Sequence, residues 1–183
     1  MSGNHVSQKG GCNGRCPDKG LAGYTFYDGL ASLNITDNPV GYSPPVGPSI
    51  DFWLTYNQRE ATQPQTFTYS NVGHQWTHDF LAYVEDDPSN LGEPVELFLR
   101  GGGAETYKGF ENNVSEPQLE TRAVMTIVST NPIEYERQLP DGSIEIYAQP
   151  DGATSPRKVF LTEWQDPQGN AATLTYDGQL RLV

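Results

Sequence analysis

The 183-residue sequence is short of basic residues, of cysteine and of long apolar runs. Lys and Arg number 11 against 23 Asp and Glu, which gives a formal net charge of −12. So acidic a chain offers little basic surface for a nucleic-acid backbone, and we expect no nucleic-acid partner. No run of roughly 18 apolar residues is present, and the N-terminus lacks the apolar core of a secretory signal. We therefore expect no membrane span.

Sequence motifs for catalysis are also missing. The chain has no nucleophile elbow, HExxH helix, P-loop or dinucleotide fingerprint. Its three histidines lie in no motif that a catalytic triad would need. We therefore expect no enzyme and no cofactor. Two carboxylates on a β scaffold leave no local signature, so a glycosidase-type pair stays open as the alternative.

The only two cysteines, Cys12 and Cys16, flank an Asn-Gly turn near the N-terminus. A disulfide across this spacing is geometrically possible and would indicate an oxidising compartment. Two free thiols are the second interpretation, and a metal site with His5 as a third ligand is the third. Because Cys16 is followed by Pro17 rather than histidine, the c-type haem signature is excluded.

Residues 1–23 are Gly-rich and polar, with no apolar periodicity, and we interpret them as an N-terminal arm. Within residues 1–20, Lys9, Arg15 and Lys19 outnumber Asp18, which leaves eight basic and 22 acidic residues for the remainder. A small basic arm therefore precedes an acidic body. We predict that residues 24–183 form a single β domain.

Composition and alternation predict an all-β, mostly antiparallel fold of about ten to twelve strands, with no helix longer than about two turns. Gly 19 and Pro 14 supply turns, and Tyr 10 and Phe 7 suit strands. The clearest strand is predicted at residues 50–56, and the apolar run at 123–128 predicts a central strand covered on both faces. We expect the following to be buried: Phe52, Leu54, Tyr56, Trp76, Leu97, Ile127, Tyr135, Ile146 and Leu174.

Four other groups of residues could suggest a binding or catalytic site. His74 and His78 lie on one strand face, too far apart to grip one ion without a bend, so we expect them to flank a structural Trp. The acidic residues at 85–87 lack a calcium-loop pattern and predict a solvated turn, and the glycines at 101–103 predict a bend. Trp53, Trp76 and Trp164 would suit a carbohydrate-binding surface if they were exposed.

Residues 133–183 contain β-prone segments separated by turn signals, and they predict an antiparallel meander of five strands. Pro presets the first corner of a turn, Gly accepts the positive φ of a later corner, and Asp bonds to its own backbone. These signals occur at residues 140–142, 150–152, 166–169 and 177–178. The fifth strand is predicted at 179–183.

The C-terminal segment resembles a tyrosine-aspartate (YD) repeat of the Rhs family, which reads Asp-Pro-x-Gly-Asn, a strand, Tyr-Asp and then Gly-Arg-Leu. The matching residues are Asp166, Pro167, Gly169, Asn170, Tyr176, Asp177, Arg181 and Leu182. Leu180 stands where the pattern has Gly. Residues 44–48, 54–57 and 73–76 resemble the leading segment of the same shell-forming proteins. The resemblance covers about residues 32–183. Within the predicted β domain, residues 24–132 are the leading segment and residues 133–183 are the meander, which ends in the repeat-like motif.

This resemblance implies a structural scaffold without a cofactor, secreted or at the cell surface. Its partners would be further copies of the chain, or a toxin and the remainder of an Rhs shell. We expect self-assembly into a filament or sheath, with Leu180, Leu182 and Val183 exposed on an edge strand that pairs with another chain. The basic arm would lie on a neighbour's acidic surface. Two alternatives stay open: a fragment of an Rhs toxin-encapsulating shell, and a surface module that binds carbohydrate or cells.

Overall fold

The computed structural model describes residues 5–8, 22–59, 72–73 and 75–183. In this part of the chain the fold is all-β with antiparallel sheets, which confirms the predicted class. Thirteen strands occur there, one more than the predicted range, and the only helix is a 3-10 turn at Asp28–Leu30. Over the same ranges, no helix has the length and apolar character needed to cross a membrane.

The smaller of two sheets holds the first five strands in chain order. They are β1 (His5–Gln8), β2 (Gly23–Tyr27), β3 (Ser32–Tyr42), β4 (Ile50–Asn57) and β5 (Trp76–His78). The alternating strand predicted at 50–56 is β4, and it pairs with β3 on one side and β5 on the other.

One side of the smaller sheet is apolar, and we call it the apolar face. Because direct cross-strand partners share a face, the register places Tyr24 beside Ile35 and Ile35 beside Tyr56. By the same register the face consists of Tyr24, Phe26, Leu33, Ile35, Val40, Tyr42, Ile50, Phe52, Leu54, Tyr56 and Trp76. The same register also places Asp37 and His78 on this face. The opposite face carries polar side chains such as Thr36, Thr55 and Thr77.

The larger sheet has eight strands and curls into a half-barrel. They are β6 (Tyr83–Asp86), β7 (Val95–Phe98), β8 (Ala104–Tyr107), β9 (Val124–Thr130), β10 (Ile133–Gln138), β11 (Ile144–Pro150), β12 (Arg157–Gln165) and β13 (Ala171–Thr173). Their order is β8-β7-β6-β12-β11-β10-β9, and β13 pairs with the second half of β12. Strands from both predicted segments, 24–132 and 133–183, therefore share one sheet.

The inner face of the curled sheet carries the main core. Alternate residues of each strand meet there, and the fully buried ones include Val84, Leu97, Tyr107, Met125, Tyr135, Tyr147, Val159 and Leu161. A second, smaller cluster on the outer face holds Leu81, Tyr83, Phe98 and Phe160. Full burial of one such side chain contributes roughly 1.5–3 kcal/mol, so these clusters are the main source of stability.

Aromatic rings join the two sheets. Phe52 of the apolar face stacks on His78 with ring centroids 5.2 Å apart. Phe80, just after β5, stacks on Trp164 of β12 at 5.6 Å. On the Trp164 ring lies the Arg100 guanidinium, 4.4 Å from the centroid, in a cation–π contact. This row of rings anchors one end of the smaller sheet to the larger one.

Four hairpins share one turn geometry. In each, the first residue accepts a hydrogen bond from the residue three positions on and donates to the carbonyl four positions on. The turns occupy residues 99–103, 139–143, 166–170 and 177–181. Their fourth residues, Gly102, Gly142, Gly169 and Leu180, all have positive φ. This is the three-residue hairpin loop that ends in a left-handed residue, and it fixes the strand register.

We expect Gly169→Ala to destabilise the protein by about 1–2 kcal/mol, the conformational cost of a left-handed non-glycine residue. Gly169 has φ +83°, and nothing lies within 4 Å of an added Cβ, so crowding contributes nothing. Gly178→Ala is the matched control, because its Cβ would also meet open space but its φ is not positive. Chemical unfolding should show no loss for the control, and equal losses in both variants would contradict the explanation.

The nine side chains predicted to be buried are all at least partly shielded. Leu97, Ile127 and Tyr135 are buried, while the other six are half-buried. The predicted phase of β11 is nevertheless wrong, because Glu145 and Tyr147 occupy the inner face and Ile146 does not. Hydrophobicity places the isoleucines of β11 on the inner face. The buried positions are instead those of the glutamate and the tyrosine, which have polar partners.

Two predictions about strand position are also wrong. The run at 123–128 is not a central strand, since β9 ends the larger sheet and Val128 is 51% exposed. Its outer edge bonds to residues 113–115 at Met125 and Ile127, and to Gln118 at Ala123. Residues 179–183 do not form a fifth strand, because the chain there makes a turn and a single bridge between Tyr176 and Leu182.

Candidate functional site

The first turn of the repeat-like motif is closed by its own polar side chains. Asp166 Oδ1 accepts hydrogen bonds from the backbone N–H groups of Gln168 and Asn170, both at 2.9 Å. Asn170 Nδ2 donates to Asp166 Oδ2 at 2.8 Å, and this bond lowers the pKa of the carboxyl. Pro167 and Gly169 supply the corner conformations. Residues 166–170 thus form one turn that is closed by its own side chains.

The second turn repeats this arrangement around Asp177. Its Oδ1 accepts from the backbone N–H groups of Gln179 at 2.8 Å and Arg181 at 3.0 Å. Arg181 Nε donates to Asp177 Oδ2 at 2.8 Å, and this bond lowers the pKa of Asp177 to about 2. Leu180 has φ +61°, so it adopts a left-handed conformation that glycine takes more readily. The turn at 177–181 therefore has the same backbone hydrogen bonds as the turn at 166–170.

The apolar residues of the motif pack against the rest of the larger sheet. Tyr176 Oη donates to the Leu161 carbonyl at 2.6 Å. Leu180 packs against the outer-face cluster and Leu182 against the main core, both half-buried. Of the three residues predicted to form an assembly edge, only Val183 is largely exposed, at 76%. A regular edge strand for pairing is not present at this position.

A buried group of five side chains lies inside the curl, and we call it the charge cluster: Glu105, Tyr107, Arg137, Glu145 and Tyr147. Arg137 Nη2 donates to Glu105 Oε2 at 3.0 Å, and Nη1 donates to Glu145 Oε2 at 2.8 Å. Each tyrosine hydroxyl donates to the glutamate two positions before it, both at 2.8 Å. Arg137 Nε completes the network by donating to Tyr107 Oη at 2.7 Å.

The electrostatics of the charge cluster follow from burial. Burial raises the pKa of Tyr107 and of Tyr147 well above the usual range, so both hydroxyls stay protonated donors. Burial works against the charge on Arg137, but the nearby Glu145 carboxylate outweighs it and raises the arginine pKa. One guanidinium then faces two carboxylates, so the cluster has a formal charge of −1.

A second buried pair crosses the sheet between β6 and β12. Arg157 holds Asp86 with two bonds, Nε to Oδ1 at 3.0 Å and Nη2 to Oδ2 at 2.5 Å. Tyr135 Oη donates to the same carboxylate at 2.7 Å. The prediction of a solvated acidic turn at 85–87 is therefore wrong for Asp86, which is 5% exposed. Glu85 also pairs with Lys158 at 2.7 Å.

The predicted histidine pair is only half described, because His74 lies outside the described residues. His78 is buried, and its Nδ1 accepts from the Phe80 N–H at 3.2 Å, so the neutral ring carries its proton on Nε2. Burial lowers the pKa of His78 to about 4. In the described part of the chain, no three His, Cys, Asp or Glu residues are placed to hold a metal ion.

The three tryptophans do not form one stacking platform. Trp164 is 7% exposed under Arg100, and Trp76 is half-buried against Tyr56 at 5.4 Å. Trp53 is 38% exposed, but the strand alternation places it on the face opposite to Trp76. A sugar-binding surface built from these rings is therefore not favoured.

The N-terminal candidates cannot be placed. Cys12, Cys16, Lys9, Arg15 and Lys19 all lie outside the described residues, so the disulfide and the basic arm stay predictions.

Comparison with known proteins finds no family model that matches the chain and no similar protein among the curated ones.

The buried ionic groups were not predicted from the sequence, although one signal for them is visible there. The triplets Glu105-Thr106-Tyr107 and Glu145-Ile146-Tyr147 repeat the same Glu-x-Tyr spacing. That spacing puts both side chains on one face of a strand. What the arrangement does chemically is to cross-link strands through buried, mutually bonded charges.

Proposed function

We propose that this chain is a structural, non-enzymatic β-sheet protein, similar to the N-terminal part of Rhs and YD-repeat shells, and that it works outside the cell in assemblies of several copies. The observation that carries the proposal is where the motif's polar groups bond. Asp166, Asn170, Asp177 and Arg181 all bond within their own turns. Side chains engaged in this way set the shape and register of hairpins.

The buried ionic groups support the same role. In the charge cluster each carboxylate has an arginine nitrogen and a tyrosine hydroxyl within 3.0 Å. Asp86 is held by Arg157 and Tyr135. Buried polar groups that satisfy one another rigidify a fold and specify one arrangement of its strands. These residues link β6, β8, β10, β11 and β12 across the curl, as expected of a wall that must keep its curvature.

The apolar face supports assembly. Tyr24, Phe26 and Tyr42 are 44%, 41% and 61% exposed, and Val40 is 62% exposed. With roughly 200 Å² for a whole aromatic side chain, the three rings alone leave roughly 300 Å² open. An apolar patch of roughly this size on a soluble protein is often functional. We therefore assign the contact between copies to this face instead of to the C-terminal edge predicted from the sequence.

Sedimentation velocity of the full chain tests the proposal. We expect a species larger than the 20.2 kDa monomer at micromolar concentration. The double variant Phe26→Ser with Tyr42→Ser should shift the population to 20.2 kDa, because it removes apolar area from the contact. Val128→Ser is the matched control, since Val128 is 51% exposed on the larger sheet.

A monodisperse 20.2 kDa species for the unaltered chain would contradict self-assembly. In that case the chain would instead be one module of a larger shell. Equal effects of the double variant and of Val128→Ser would instead show that the apolar face is not the contact.

A further inference from the structure

Among the described strands of the larger sheet, β8 lies at one end and has an open backbone edge. Only β7 pairs with β8 among the described strands. In an antiparallel pair, residues alternate between bonding to the partner strand and pointing away from it. The hairpin bond from Leu99 N to the Gly103 carbonyl sets this alternation, and the register carries it to Ala104 and Thr106. The backbone N–H and C=O groups of these two residues therefore point outward.

The chain itself shows that this edge accepts a backbone partner. Lys108 continues the outward series, and its carbonyl accepts a hydrogen bond from Glu116 N at 2.9 Å. Gly109 permits the close approach, since a Cβ there would lie 2.8 Å from the Glu116 side chain. Beyond this single bond the segment diverges from β8. No described residue bonds to the outward groups of Ala104 and Thr106.

A cavity of about 460 Å³ fills the space between the open edge and the diverging segment. Its walls are Ala104, Glu105, Thr106, Lys108 and residues 116–120. Leu119 at the rim is 78% exposed and offers an apolar contact. The cavity therefore combines unused backbone groups with a place for side chains.

The acidic lining of the cavity favours a basic occupant. Glu105 belongs both to the cavity wall and to the charge cluster, whose single guanidinium faces two carboxylates. Glu116 and Glu120 add two more acidic groups, against one cation, Lys108. Buried charges are normally paired, and here two carboxylates share one guanidinium. A positive side chain entering beside Glu105 would complete this pairing.

We propose that the open edge of β8 binds an extended peptide segment that carries a lysine or arginine. The segment adds a strand antiparallel or parallel to β8, bonds to the outward groups of Ala104 and Thr106, and places its basic side chain against Glu105. Backbone pairing supplies affinity in such strand addition, and the side-chain contacts supply selectivity. This inference is independent of the proposed self-assembly, which uses the apolar face.

The probe is a fluorescently labelled seven-residue peptide, Thr-Val-Thr-Lys-Thr-Val-Thr, measured by anisotropy against the full chain. Thr106→Pro removes one outward N–H, and proline is tolerated on a sheet edge. Thr106→Val keeps that N–H and is the matched control. We expect Thr106→Pro to weaken binding about tenfold or more, and Thr106→Val to leave it within about twofold.

A second peptide with glutamate in place of lysine tests the charge without altering the protein. We expect it to bind at least about tenfold more weakly, and the difference to shrink as salt is added. Equal binding of the two peptides would overturn the charge assignment, and equal loss in both Thr106 variants would overturn the edge assignment. If no peptide binds but Thr106→Pro disperses self-associated chains, the occupant is a second copy and the proposal is wrong.

Discussion

Arg137→Met is expected to destabilise the protein by about 3–5 kcal/mol, a large share of the stability of a typical domain. The substitution leaves Glu105 and Glu145 buried without their common cation, at positions where their side chains are 8% and 11% exposed. Most of the loss is the desolvation of two unpaired carboxylates. Urea unfolding followed by far-UV circular dichroism measures it, provided that the slope with denaturant stays constant.

The triple variant Arg137→Met, Glu105→Gln, Glu145→Gln separates charge from packing. It removes the cation and both anions together, so we expect it to recover much of the stability lost in Arg137→Met. If the triple variant is as unstable as the single one, packing around the arginine stem explains the loss. If Arg137→Met costs less than about 1 kcal/mol, the cluster does not hold the curl.

Acidification from pH 6.5 to pH 4 is expected to remove about 3 kcal/mol of stability through His78 alone. Burial lowers its folded pKa to about 4, whereas the unfolded chain titrates near 6.5. Between these values the unfolded state binds more protons, so stability falls as pH falls. The contribution is fully present above pH 6.5 and is lost progressively down to pH 4.

His78→Phe is the control for this titration, because it keeps a ring for the stack on Phe52 and cannot be protonated. The stability difference between wild type and variant should change with pH by the amount above. Burial raises the pKa of the neighbouring Asp79, so its contribution to stability rises as pH falls. This contribution is common to both proteins. A parallel pH dependence in the two proteins would show that His78 is protonated without cost in the folded state.

The turns were the most predictable part of the fold. Three of the four shared hairpins have Asp with Pro or Gly at the corners, and those residues have direct conformational meaning. Leu180 shows the limit of the approach, because a leucine at φ +61° carries no left-handed signal of its own. Its packing against the outer-face cluster compensates for the backbone conformation.

Strand phase and edge position were less predictable. Hydrophobicity favours Ile146 over Glu145 for burial, and only the position of Arg137 on the neighbouring strand reverses this. The pairing of β12 with β6 joins residues far apart in the chain, and no local pattern encodes it. Because β9 and β8 become the ends of the sheet only through that pairing, the open edge at β8 could not be predicted from the sequence either.

The bond between Asp86 and Arg157 spans 71 positions, whereas β9, β10, β11 and β12 follow one another through short turns. Closing a loop of that length costs about 4 kcal/mol in chain entropy, and the cost falls before the contact is made. The four-strand meander needs no such closure and forms from neighbouring segments. From this topology we expect the meander to form first and β6 to β8 to dock onto β12 afterwards, with the Asp86–Arg157 pair formed at the docking step.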